Sequence, residues 1–160
     1  MSDWIEEGAR APDFSLRADD GQTVKLSALR GKPVVVYFYP RDDTPGCTRE
    51  ACAFRDRRAE IARLGATVLG ISPDDVESHQ RFRDKFALNF PLLADPQHKV
   101  AEKYGAWREK NMYGKKVMGI QRSTFVIDPQ GRVARVWRNV KVDGHDEQVL
   151  AEVRKVVESK

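Results

Sequence analysis

The chain has 160 residues, of which 41% are hydrophobic and 32% are charged. This composition is sufficient for a buried core, and the length predicts one globular domain over residues 1–160. The net charge of +4 could suit a nucleic acid, and Lys110, Lys115 and Lys116 lie near two aromatic residues, but acidic residues are interspersed along most of the chain. We therefore interpret that segment as a solvated loop and predict no nucleic-acid partner.

The start of the chain lacks the features of an export signal. Met1 to Pro12 is acidic and polar, without the basic start and apolar core of a signal peptide. No stretch approaches the roughly 18 uninterrupted apolar residues that a membrane helix needs. Two cysteines are also too few for the disulfide framework that stabilises small secreted proteins. We therefore expect a soluble cytoplasmic protein with no membrane partner, in which both cysteines are normally thiols.

The first part of the chain alternates strand and helix signals. Pro12 to Leu29 is predicted to form a small hairpin around Asp19-Asp20-Gly21. Val34 to Phe38 is a short run of β-branched and aromatic residues bounded by glycine and proline, which predicts a buried strand. From Pro45 to about Leu64 apolar residues recur at near-helical spacing, and Gly65 stands where a C-cap is expected. This pattern predicts a helix of several turns.

A second strand and helix follow in the same order. Thr67 to Ile71 is predicted to be a buried strand. Ser72 to Asp75 then supplies an N-cap, a first-turn proline and acidic residues before a helix that contains Val76, Phe82 and Phe86. Crossovers of this β-α-β kind almost always join parallel strands with a right hand.

The next segment gives weaker signals and then a clear hairpin. Within Asn89 to Gln121 we predict a short helix near His98 to Tyr104, followed by a loop. Ser123 to Ile127 and Val133 to Trp137 flank Asp128-Pro129-Gln130-Gly131, a turn sequence that suits an antiparallel hairpin.

The chain closes with a helix that has Leu150, Val153 and Val157 on one face. The order is therefore strand, helix, strand, helix, hairpin and helix. This is the layout of a thioredoxin-like α/β fold, a three-layer sandwich, here with an N-terminal β-hairpin extension.

One cysteine is predicted to lie at the start of the first long helix. Thr44 suits an N-cap and Pro45 suits the first helical position, so Cys47 becomes the third residue of the helix. Free backbone N–H groups and the positive end of the helix dipole favour an anion there, and the thiolate is the reactive form of cysteine. A cysteine at a helix start can equally be a small buried hydrophobic residue.

The spacing of the second cysteine favours redox chemistry. Cys52 lies five residues after Cys47, a step that rotates the side chain by about 140° and separates the Cα atoms by roughly 8–9 Å in an intact helix. A disulfide requires Cα atoms within about 7 Å. The two sulfurs can therefore bond only if the helix unwinds locally, which requires a first turn of low stability.

Two other cysteine sites fit the spacing less well. A dithiol oxidoreductase has two residues between its cysteines, and this chain has four. A zinc site would have to combine the cysteines with His79, His98 and His145, which are scattered along the chain and match no usual ligand spacing. We predict neither a metal nor an organic cofactor.

Pro40, Thr44 and Cys47 match the Pro-x-x-x-Thr-x-x-Cys motif, and the chain resembles the peroxiredoxins. The position of Cys52 is similar to that in the bacterioferritin comigratory protein, or peroxiredoxin Q, branch. Gly119 to Phe125 resembles the segment that carries the active-site arginine of the family. The resemblance extends from about Gly8 to the C-terminus.

The resemblance implies a thiol-dependent peroxidase that reduces hydrogen peroxide and organic hydroperoxides. Cys47 would be the peroxidatic thiolate, which becomes a sulfenic acid. Cys52 would be the resolving thiol, and a thioredoxin-type partner would reduce the resulting disulfide. A resolving cysteine within the same chain favours a monomer.

The resemblance also implies the roles of three further residues. Thr44 would place its hydroxyl against the thiolate and the peroxide oxygens, and Pro40 would shape the pocket and shield the sulfur. Arg122 would donate hydrogen bonds to thiolate and peroxide. In a thioredoxin-like sheet the strand beginning at Ser123 runs antiparallel to the strand ending at Phe38, which predicts that Arg122 lies near the first cysteine.

Two alternatives remain open from the sequence. The chain could be another redox protein of thioredoxin fold, such as a disulfide carrier or sensor. It could also be a binding or holdase module in which the cysteines only pack. Peroxide-dependent turnover with a thioredoxin system separates the three hypotheses.

Overall fold

Strands and helices alternate through the chain largely as the sequence predicts. A computed structural model describes residues 3–158. Its strands are β1 (Ser15–Ala18), β2 (Thr23–Lys25), β3 (Val34–Phe38), β4 (Thr67–Ser72), β5 (Leu92–Ala94), β6 (Trp107–Met112), β7 (Lys115–Ile120), β8 (Ser123–Ile127) and β9 (Val133–Trp137). Its α-helices are α1 (Pro45–Arg63), α2 (Val76–Phe86), α3 (Lys99–Tyr104) and α4 (His145–Glu158).

The main sheet has the thioredoxin-like arrangement that the sequence predicts. Its strand order is β2-β1-β5-β4-β3-β8-β9. Strands β3, β4 and β5 are parallel, and the other pairs are antiparallel. The predicted N-terminal hairpin is present as β1 and β2, and it joins the main sheet through β5. The predictions for β3, α1 and the β8–β9 hairpin are also confirmed.

The central strand β3 divides the core into two layers. All five of its residues are buried, and alternate side chains point to opposite faces, as the pleat of a strand requires. Val34, Val36 and Phe38 pack with α3 and the N-terminal segment, whereas Val35 and Tyr37 pack with α1, α2 and α4. Because both faces are covered, this strand reads as a continuous apolar run in the sequence.

The pairing of β3 with β8 determines which residues meet at one edge of the sheet. The strands are antiparallel, and Phe38 at the end of β3 lies opposite Ser123 at the start of β8. Helix α1 begins shortly after β3, and Arg122 immediately precedes β8. The start of α1 and the arginine therefore lie side by side, although they are far apart in the sequence.

Three details of the sequence prediction are wrong. Ser72 is the last residue of β4 rather than the N-cap of the next helix, because Asp75 is the N-cap and its side chain accepts a hydrogen bond from Ser78 N. The strand β5 was not predicted. The segment that was interpreted as a solvated loop forms the antiparallel hairpin β6–β7 outside the main sheet.

The final helix presents a slightly different face from the predicted one. Val149, Leu150, Val153 and Val156 are buried, whereas Val157 lies partly buried at the edge of the same cluster.

Across the residues that the structure describes, no helix combines the length and apolar character needed to cross a membrane.

Replacement of Phe125 tests the packing that holds β8 in place. Its ring is fully buried and contacts the rings of Trp4, Phe38 and Tyr104 with centroid separations of 6.2, 5.8 and 5.1 Å. We expect Phe125→Ala to lower the free energy of unfolding by about 3–5 kcal/mol in denaturant titrations, because a buried aromatic side chain leaves a cavity. Val117→Ala, on the exposed hairpin, is the control, with an expected change within about 0.5 kcal/mol. A similar loss of unfolding free energy in both variants would contradict the claim that the packing of Phe125 holds β8 in place.

Candidate active site

The first turn of α1 follows a short loop at the end of β3. Thr44 has the extended backbone of an N-cap residue, and Pro45 is the first helical residue. Cys47 is thus the third residue of the helix, where N–H groups lack helical partners and the helix dipole is positive. The Cys47 side chain is buried, with 1% of its surface exposed. The free N–H groups and the helix dipole are the two features that favour an anion at this position.

A guanidinium group reaches the sulfur from the start of β8. Nη2 of Arg122 donates a hydrogen bond to Cys47 Sγ at 3.2 Å. The residue before the cysteine permits this approach, because a Cβ at Gly46 would lie 3.1 Å from the same Nη2. A glycine at this position therefore leaves room for the arginine.

The other arm of the guanidinium holds a carboxyl group that the sequence interpretation missed. Nη1 of Arg122 donates to Glu50 Oε1 at 2.6 Å, and only 2% of the Glu50 side chain is exposed. A signal for Glu50 was present in the sequence, because it lies three residues after Cys47 and four before Phe54. Residues at that spacing share one face of a helix, and this face is otherwise apolar.

Burial changes the acidity of this carboxyl group. Removal from water raises the pKa of Glu50 from 4.5 to about 7, and this effect outweighs the charge and hydrogen bond of Arg122, which lower the pKa. Its second oxygen, Oε2, is buried and has no hydrogen-bond partner among residues 3–158. A buried oxygen without a partner costs less in a neutral carboxyl group than in a carboxylate. Glu50 is therefore protonated over much of the range below neutral pH.

Thr44 occupies the predicted position, but its hydroxyl does not cap the helix. The structure gives Thr44 no side-chain capping bond; its Oγ1 donates to Arg41 O at 3.0 Å instead. The single hydroxyl proton is thus used within the loop, and the oxygen is left as a hydrogen-bond acceptor. Pro40 lies half-buried at the start of the same loop. Its role in shaping a pocket stays a prediction.

Cys52 lies on the same helix as Cys47, and both are free thiols. It is partly exposed, whereas Cys47 is buried. The helix is continuous across both positions, so the five-residue spacing keeps the two Cα atoms beyond the reach of a disulfide. The structure therefore corresponds to the wound, dithiol form.

A buried polar network anchors the loop between β3 and α1. Asp42 Oδ1 accepts from Tyr39 Oη at 2.6 Å, and Asp42 Oδ2 lies 2.7 Å from His79 Nδ1. The other ring nitrogen of His79, Nε2, lies 3.0 Å from Leu93 O. The backbone N–H of Asp42 donates to Asp74 Oδ2 at 2.7 Å. These bonds tie the loop that carries Thr44 to α2 and β5.

The same residues include the one group of three close metal-ligand side chains found in the described part of the chain. The ligand atoms of Asp42, Asp74 and His79 lie within 4.8 Å of one another. Both nitrogens of His79 already face oxygen atoms of the protein, and Asp74 Oδ2 accepts from Ser72 Oγ at 2.7 Å. The atoms that could bind a metal ion therefore already form hydrogen bonds within the protein, and the cluster serves as a structural network.

A second cation lies near the sulfur. Lys110 on β6 is partly buried, and burial together with the charge of Arg122 lowers its pKa, while Cys47 acts in the opposite direction. The hairpin β6–β7 therefore contributes positive charge to the surroundings of Cys47. The sequence predicts a solvated loop for this lysine, and that prediction is wrong because the residue lies partly buried on a strand.

The sequence is similar to a known enzyme family. The profile of the AhpC/TSA family matches residues 8–136. Peroxiredoxin Bcp of Bacillus subtilis is 49% identical over 154 residues, which cover 96% of this chain and 98% of that protein. Peroxiredoxin Bcp of Escherichia coli K12 is 44% identical over 146 residues, with 91% and 94% coverage.

Solved structures show the same relationship. Peroxiredoxin Q of Xanthomonas campestris superimposes with a TM-score of 0.89 at 42% identity, covering 96% of this chain and 97% of that one. The bacterioferritin comigratory protein of the same organism, studied for its alkyl peroxide reduction activity, gives a TM-score of 0.88 at 41% identity, with 96% and 98% coverage.

The raised pKa of Glu50 predicts a pH dependence of stability. Between about pH 4.5 and pH 7 the unfolded chain has an ionised Glu50 and the folded chain has a protonated one. The folded state then binds the extra proton, so stability is fully present below pH 4.5 and falls as pH rises towards 7. The loss across this window is on the order of 3 kcal/mol.

Denaturant titrations of the reduced protein and of Glu50→Gln measure this effect. The variant has no proton to lose, so the stability advantage of the unchanged protein should shrink as pH rises from 4.5 to 7. Glu60→Gln, near the other end of α1, is the matched control and should follow the unchanged protein. A difference between the unchanged protein and Glu50→Gln that is constant with pH would show that Glu50 is ionised throughout.

Proposed function

Because the chain belongs to the AhpC/TSA family and is a thiol peroxidase of the peroxiredoxin Q type, we propose that Cys47 is the cysteine that attacks the peroxide. The observation that carries this proposal is the 3.2 Å hydrogen bond from Arg122 Nη2 to Cys47 Sγ. A permanently charged donor beside a cysteine in the first turn of a helix stabilises the thiolate, which is the nucleophile.

The first step transfers one oxygen atom to the sulfur. The Cys47 thiolate attacks one peroxide oxygen, the S–O bond forms and the O–O bond breaks. The sulfur is oxidised to a sulfenic acid, and the peroxide is reduced to water or an alcohol once the leaving oxygen has gained a proton. Negative charge moves from sulfur to the leaving oxygen during this step. Arg122 can follow that charge, because its guanidinium has five N–H donors and the hydrogen bonds to Cys47 Sγ and Glu50 Oε1 use only two of them.

Thr44 and Pro40 are proposed to orient the peroxide. The hydroxyl of Thr44 donates to Arg41 O, so its oxygen can accept a hydrogen bond from the O–H of a hydroperoxide. Arg122 donates and Thr44 accepts, and together they would bind the two ends of the O–O bond in one orientation. Pro40 has no N–H to attract water, which supports a shielding role.

Cys52 is proposed to resolve the sulfenic acid. Its thiol condenses with the oxidised Cys47, a disulfide forms, and water leaves. The helix must unwind around these residues, because the intact helix keeps them too far apart. The absence of a capping bond from the Thr44 side chain supports a mobile first turn. Cys52 is already partly exposed, so it does not have to leave the core to react.

We also propose the setting of the reaction. A thioredoxin-type dithiol would reduce the disulfide by exchange and return both cysteines to thiols. That cycle needs a reducing compartment, which supports a cytoplasmic location. Both reacting cysteines lie in one helix, so a monomer is sufficient. The alkyl peroxide activity of the Xanthomonas campestris relative supports organic hydroperoxides as substrates beside hydrogen peroxide.

Stopped-flow measurements test the roles of the two cysteines. Cys52→Ser should react with the first equivalent of hydrogen peroxide almost as fast as the unchanged protein, because the attacking sulfur is intact. It should then stop at the sulfenic acid and fail to turn over with thioredoxin and its reductase. Cys47→Ser should lose the fast reaction entirely.

Mass spectrometry after a sulfenic acid trapping reagent identifies the product. We expect the adduct on Cys47 in Cys52→Ser, together with sulfinic acid when peroxide is in excess. Absence of any adduct would remove Cys52 from the resolving role. A fast peroxide reaction that persists in Cys47→Ser would overturn the proposal for the nucleophile.

A further inference from the structure

One acidic group of the site has no role in the reaction described above. Glu50 lies on the same face of α1 as Cys47 and is held by the same guanidinium. It contacts Arg122 rather than the sulfur. An acidic side chain in a buried position is costly unless it is paired, so its presence at the reacting cysteine calls for a physical account.

The two oxygens of Glu50 have different surroundings. Oε1 accepts the short hydrogen bond from Arg122 Nη1, whereas Oε2 is buried with no partner in the described part of the chain. A carboxylate spreads its charge over both oxygens and would leave half of it unsolvated. A neutral carboxyl group keeps Oε1 as the acceptor of the arginine and leaves only a hydroxyl unsatisfied.

The charges around Glu50 allow only one anion to be compensated at short range. On its own helix the neighbour is Cys47, and Arg122 approaches from the start of β8. Tyr37 on β3 faces it from the sheet, and its phenol is neutral because burial raises its pKa. Lys110 on β6 interacts electrostatically with Arg122 and with Cys47, and His145 on α4 interacts with Arg122. The pocket therefore contains one cation in direct contact with two acids.

We propose that Glu50 stores the proton that balances the Cys47 thiolate, and that it releases this proton when the thiolate is oxidised. The inference rests on the proposed function of Cys47. In the reduced enzyme Arg122 compensates the thiolate and Glu50 is neutral. Once the sulfur has become a neutral sulfenic acid, Arg122 is left to compensate Glu50, which ionises. Glu50 is thus a positioning residue that acts through the arginine.

The step balances without a proton from the solvent. The thiolate, the protonated Glu50 and a hydroperoxide give the Cys47 sulfenic acid, the Glu50 carboxylate and water or an alcohol. The S–O bond forms, the O–O bond breaks, and the proton lost by Glu50 equals the one gained by the leaving oxygen. The net charge of the pocket is the same before and after. Reduction of the disulfide regenerates the thiolate and returns a proton to Glu50.

Proton counting during a single turnover tests this coupling. The Cys52→Ser variant is mixed with one equivalent of hydrogen peroxide in weakly buffered solution that contains a pH indicator. Sulfenic acid is quantified by trapping, and the ultraviolet absorbance of the thiolate is recorded beforehand. The same measurement is made with the double variant Cys52→Ser/Glu50→Gln. The matched control is the double variant Cys52→Ser/Glu60→Gln.

Below pH 7 the protein that retains Glu50 should take up about one proton fewer per sulfenic acid than the protein with Glu50→Gln. This difference should disappear as pH rises through about 7, where Glu50 is already ionised. Glu60→Gln should behave like the protein that retains both glutamates. Ionisation of the sulfenic acid itself is common to all three and cancels in the comparison.

The outcomes separate the inference from the proposed function. If sulfenic acid forms in both proteins and their proton counts agree at every pH, Glu50 does not store the proton. If no sulfenic acid forms on Cys47 in the protein that retains Glu50, the proposed function of the two cysteines is wrong and the inference falls with it.

Infrared difference spectra give a test that does not depend on folding of the Glu50→Gln variant. Addition of peroxide to Cys52→Ser should remove the C=O stretch of a protonated carboxyl group, and carbon-13 labelled glutamate should shift that band. An unchanged carboxyl region below pH 7 would overturn the inference.

Discussion

A single guanidinium group between two buried acids is the constraint on which the site depends. Arg122 donates one hydrogen bond from Nη2 to Cys47 Sγ and one from Nη1 to Glu50 Oε1. An uncompensated ion in such a pocket costs several kcal/mol, so one cation in direct contact can support one full negative charge. A Cys47 thiolate beside Arg122 therefore requires the Glu50 carboxyl group to be neutral. In the proposed reaction, oxidation of the sulfur shifts the charge from Cys47 to Glu50 without adding any to the pocket.

The fold holds this arrangement from both sides. The antiparallel pairing of β3 with β8 brings Arg122 to the start of α1, and Gly46 leaves space for its side chain. The Asp42–His79 network anchors the loop before the helix. Strand β3 is fully buried and paired along both edges, so it is rigid, whereas the first turn of α1 has no side-chain cap. Local unwinding of the helix is therefore easier there than any movement of the sheet.

The sequence predicts the central elements because burial leaves a clear pattern. Strand β3 is covered on both faces and appears as an unbroken apolar run, and the Thr-Pro pair before Cys47 indicates the start of α1. The hairpin β6–β7 could not be recognised in this way, because its strands lie outside the main sheet, most of their residues are exposed, and polar and apolar residues are equally common in them. The direction of the Thr44 hydroxyl also escaped prediction, since a tight turn offers it several acceptors. Glu50 could have been found, because it occupies a core-facing position between Cys47 and Phe54.

The second-order rate constant for hydrogen peroxide in Arg122→Lys tests the central claim most directly. Lysine keeps the positive charge but lacks the two nitrogens of a rigid fork. It therefore cannot donate hydrogen bonds to the sulfur and to Glu50 in the same geometry. The account predicts that the rate constant falls by roughly tenfold to a thousandfold. Arg132→Lys, at the turn between β8 and β9, should leave it unchanged. An Arg122→Lys variant that reacts as fast as the unchanged protein would contradict the claim that the shared guanidinium governs the chemistry of Cys47.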